Sequence, residues 1–128
     1  SLNGLITFKG RALHLEYAKQ HPEESITFGG DNDRPQEPLP ANCKFLGLIA
    51  EANLLKFYNE FVTYMETPDT PQPFNRTLVE AYLSGCKIRS NALHGAMSWP
   101  WMRTSRETVA QKLREGPGEF WRGIEAVL

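Results

Sequence analysis

The chain has 128 residues, near the usual size of one domain and too short for two independent cores. With 41% apolar and 23% charged residues it is too apolar for disorder, and at this length it needs neither metal nor disulfides to fold. A net charge of −1 argues against a whole-molecule electrostatic grip on nucleic acid or on an acidic membrane.

The near-neutral total hides a gradient. Residues 1–42 carry four Lys/Arg against six Asp/Glu, residues 43–72 two against four, and residues 73–128 eight against five. Within residues 86–114, Lys87, Arg89, Arg103, Arg106, Lys112 and Arg114 face only Glu107. Such asymmetry points towards an anionic partner.

In chain order, Gly4–Lys9 reads as a short strand bounded by glycines. Arg11–Gln20 fits a strand or a helix by period, and its good helix formers favour the helix. Pro22 ends it, and Ser25–Phe28 suggests a second strand able to pair with the first. Gly29–Asn42, with prolines at 35, 38 and 40, reads as an exposed loop. Cys43–Glu66 places apolar residues at helical offsets, as in Leu54–Tyr58–Phe61–Met65, and reads as a central helix covered on more than one side. Pro68, Pro71 and Pro73 make a second connection over residues 67–74.

Further on, Thr77-Leu-Val-Glu80 is a capping-box pattern that predicts a helix to about His94, weakened at Gly85. Thr104-Ser-Arg-Glu107 repeats the box, and Gly116-Pro117-Gly118 is expected to stop the helix it starts. Glu119–Leu128 then forms a last amphipathic helix. The resulting fold class is mainly α: one domain, residues 1–128, with a small N-terminal strand or hairpin beside a bundle of four to five helices.

Chemical signatures are sparse. His14, His21 and His94 lack zinc-ligand spacing, and His21/Glu24 is a trivial neighbour pair, so no metal is predicted. Asp31-Asn-Asp33 offers alternating oxygens, but Gln36 stands where a calcium loop needs Gly and Asn42 where it needs Glu, so turn chemistry accounts for it. Cys86 and His94, eight residues apart, would lie about 12 Å apart on one helix, beyond hydrogen-bond reach. No nucleophile elbow, phosphate loop or dinucleotide fingerprint is present, so neither catalytic residues nor cofactors are predicted. Cys43 and Cys86 read as two reduced, largely buried thiols, with one long-range disulfide as the alternative. Without a transmembrane run or a basic-then-apolar leader, a cytoplasmic location and no membrane partner are expected.

The most unusual stretch is Ala96-Met-Ser-Trp-Pro-Trp-Met-Arg-Thr-Ser-Arg106. Trp99 and Trp101 either cap the core or, with Met102, Arg103 and Arg106, form a recognition surface, since Trp, Met and Arg favour interface cores. Ser105-Arg-Glu-Thr-Val-Ala-Gln-Lys-Leu113 resembles the recognition helix of catabolite-activator-type helix-turn-helix regulators. The resemblance implies base contacts from Ser105, Arg106 and Thr108 and a phosphate contact from Lys112. It covers about ten of 128 residues. Trp99 stands where the family has a small residue, Arg103 where it has the turn glycine, and Pro100 interrupts the preceding helix.

Three functions are therefore expected in order. The first is a non-enzymatic interaction or regulatory module holding a protein partner at the aromatic and basic loop. The second is a nucleic-acid-binding module using Lys87, Arg89, Arg103, Arg106, Lys112 and Arg114. The third is an enzyme whose site only the fold assembles, with His94, Cys86 and Asp31/Asp33 as starting points.

Overall fold

The computed structural model describes residues 2–3, 10–29 and 38–127. Along them run, with helices between the strands except from β2 to β3, β1 (Leu2–Asn3), α1 (Arg11–Gln20), β2 (Ile26–Phe28), β3 (Cys43–Phe45), α2 (Glu51–Asn59), β4 (Thr63–Glu66), α3 (Arg76–Leu83), β5 (Lys87–Ser90) and α4 (Arg106–Glu125). Two short 3-10 turns, Gly95–Ser98 and Pro100–Arg103, join β5 to α4.

Every paired strand among the described residues is parallel. β1 pairs with β2, β2 with β3, and β4 with β5 in the register Thr63↔Lys87 to Glu66↔Ser90. β1 also runs beside β4, with Cα atoms within 8 Å, closer than second neighbours in a sheet approach. The strands thus form two separately hydrogen-bonded sheets, β1-β2-β3 and β4-β5, with β1 the strand that lies alongside β4. Parallel neighbours need crossover connections, which α1 and α3 supply between β1 and β2 and between β4 and β5.

This alternation overturns the expected hairpin beside a helical bundle. The helix expected over Arg11–Gln20 forms, and Ile26–Phe28 is a strand, but its pairing with β1 is parallel. The long central helix expected over residues 43–66 is instead β3, α2 and β4. Strands covered on both faces read as unbroken apolar runs, and Tyr64-Met65-Glu66 is buried throughout. The helix expected to reach His94 ends at Leu83, where Gly85 takes φ +106°, and β5 follows. Asn75, rather than Thr77, caps α3 by accepting from the Thr77 amide, and Ser105 caps α4 from the Thr108 amide. Gly116-Pro117-Gly118 does not stop α4. Proline removes one ladder bond and glycine adds entropy cost, but neither blocks continuation outright. The strand expected over Gly4–Lys9 and the Asp31-Asn-Asp33 turn lie outside the described residues.

Two apolar clusters hold the layers. The larger joins Phe57, Tyr58, Leu78, Val79, Cys86, Met102 and Val109, tying α2, α3 and α4 to β4 and β5. The smaller joins Ala18, Ile26 and Phe28 beneath α1. No helix among the described residues is long and apolar enough to cross a membrane.

Candidate functional site at the carboxyl edge of the sheet

At the carboxyl end of β4 the chain is buried and polar. Gly10, with φ +78°, begins α1 so close to this strand end that a Cβ there would lie 1.8 Å from the Thr67 carbonyl oxygen. That approach brings His14 over the strand, where its Nε2 accepts from the Thr67 amide at 2.9 Å. The acceptor role puts the ring proton on Nδ1, a buried atom with no partner among the described residues. Burial pulls the His14 pKa from 6.5 down to about 4, against smaller opposing effects of Glu66 and Asp69.

Glu66, the last residue of β4, is 2% exposed. Its Oε2 accepts from the Tyr64 hydroxyl at 2.6 Å and its Oε1 from Asn75 Nδ2 at 2.8 Å. Burial, with the nearby carboxylate, drives the Tyr64 phenol well above its ordinary pKa. Asn75 Oδ1 in turn accepts from the Thr77 amide at 2.9 Å, so one side chain both caps α3 and fixes the carboxylate. His94 is fully buried with Nε2 3.7 Å from Glu66 Oε2. The segment carrying it is zipped to the loop before α3, through Gln72 N to Leu93 O and Gly95 N to Gln72 O.

The helix starts at this edge differ in charge. α2 carries Glu51 in its first turn, whereas α1 and α3 carry no acidic residue there. α1 is also without a side-chain cap, and its first residue is Arg11. Its opening amides are thus the helix donors best suited to an anion.

The sequence-predicted interaction residues divide. Trp99 is 50% exposed and Trp101 partly buried, their rings 5.7 Å apart, and Phe74 joins them 6.4 Å from Trp101. Met102 is core and Arg103 is exposed. Arg106 donates to the carbonyls of Tyr82, Gly85 and Cys86 and lies over the Tyr82 ring, so it serves the end of α3. Of the remaining basic residues, Arg89 contacts Tyr17, Lys112 pairs with Glu115, and Lys87 and Arg114 are exposed on separate elements. The helix-turn-helix geometry implied by resemblance does not form, because 3-10 turns occupy the place of the first helix.

Among the enzyme starting points, His94 meets Glu66. Cys86 is buried, its thiol donating to the Tyr58 and Phe61 carbonyls. Among the described residues the only clustered donor set suited to a metal is His21, Glu23 and Glu24. It is largely exposed, and Glu24 already accepts the Tyr17 hydroxyl. Glu66 and Gly10 escaped the sequence reading: Glu66 stood at the end of a supposed helix, and Gly10 looked like ordinary strand punctuation. The chain matches no family model, no curated protein and no solved structure.

Proposed function

We propose that this chain is a nucleotide-binding unit of the doubly wound α/β type, its ligand lying across the carboxyl ends of β1 and β4 with a phosphate at the start of α1. The observation that carries this reading is the strand order. From β1 the chain builds β2 and β3 on one side, then returns to form a second ladder, β4 and β5, whose first strand lies alongside β1 on the other. In open parallel sheets ligands bind at the carboxyl edge where the order reverses, because the connections diverge there and leave a crevice. The uncapped start of α1, led by Arg11 and seated on β4 through Gly10, supplies donors and positive dipole at that point. Cys43 and Cys86 as free thiols fit a reducing, cytoplasmic setting for such a protein.

Calorimetric titration with nucleoside diphosphates, triphosphates and the matching nucleosides tests it. Binding is expected to require the phosphates, and Arg11→Glu is expected to weaken it about tenfold by placing a negative charge in the first turn. Absence of phosphate-dependent binding for every base would sink the reading.

A second reading is a protein-partner patch at Trp99, Trp101 and Phe74, favoured by the half-exposed Trp99 ring.

A further inference from the structure

We draw no further inference here: the strongest candidate, the apolar cleft between α2 and α3 lined by Leu54, Leu55, Tyr58 and Leu83, carries nothing, because Arg76 already contacts both of its carboxylates, Glu51 and Glu80, and nothing in the structure shows what covers it.

Discussion

Gly10 and Gly85 both hold left-handed backbone, at φ +78° and +106°, yet they answer to different constraints. At Gly85 nothing lies within 4 Å of a built Cβ, so alanine there bears only the conformational cost, about 1 kcal/mol. At Gly10 the Thr67 carbonyl occupies the space, and Gly10→Ala is expected to cost about 3 kcal/mol or more because α1 must lift off β4. Urea unfolding of the two variants measures the contrast. His14, one turn on, carries a pH signature. The unfolded chain takes up its proton near pH 6.5, whereas the buried ring resists until about pH 4. Across that window the unfolded state binds more protons, so stability rises with pH and is lost on acidification, on the order of 3 kcal/mol for this one group. His14→Gln keeps an acceptor for the Thr67 amide but cannot titrate, and its urea midpoints are expected to vary less between those pH values. An unchanged slope would count against the assignment.

At the scale of elements, α1 and β2 were legible because each carries one signal: helix formers stopped by Pro22, then a short β-favouring run. The β3-α2-β4 segment was not. Its pieces are three, nine and four residues long, too short to display a period, and Leu54, Tyr58, Phe61 and Met65 keep helical spacing although they fall on a helix, a turn and a strand. Arg106 was legible as a cation but not as a structural one, since its targets are backbone carbonyls that sequence does not reveal. Arg106→Ala is expected to cost about 1–2 kcal/mol in a thermal or urea melt by leaving the end of α3 without its donors. Arg103→Ala, on an exposed side chain, is expected to stay within about half a kcal/mol.

For the molecule as a whole, composition bounded size and compactness, but the parallel topology depends on pairings across dozens of residues that no local pattern records. The candidate site was hidden for the same reason: Gly10, His14, Glu66 and His94 come from three distant stretches and converge only once α1 and the His94 segment meet the end of β4. That topology also imposes a history on the chain during synthesis. β1 precedes the other described strands, yet its neighbours begin only at Ile26 and Thr63, so the edge that faces β4 stays uncovered until β4 has been made. The finished outer strands are short and carry exposed Lys44 and Lys87, which discourage pairing with other chains. Slowing translation between β1 and β4 would lengthen the interval in which a nascent chain can be captured by its neighbours.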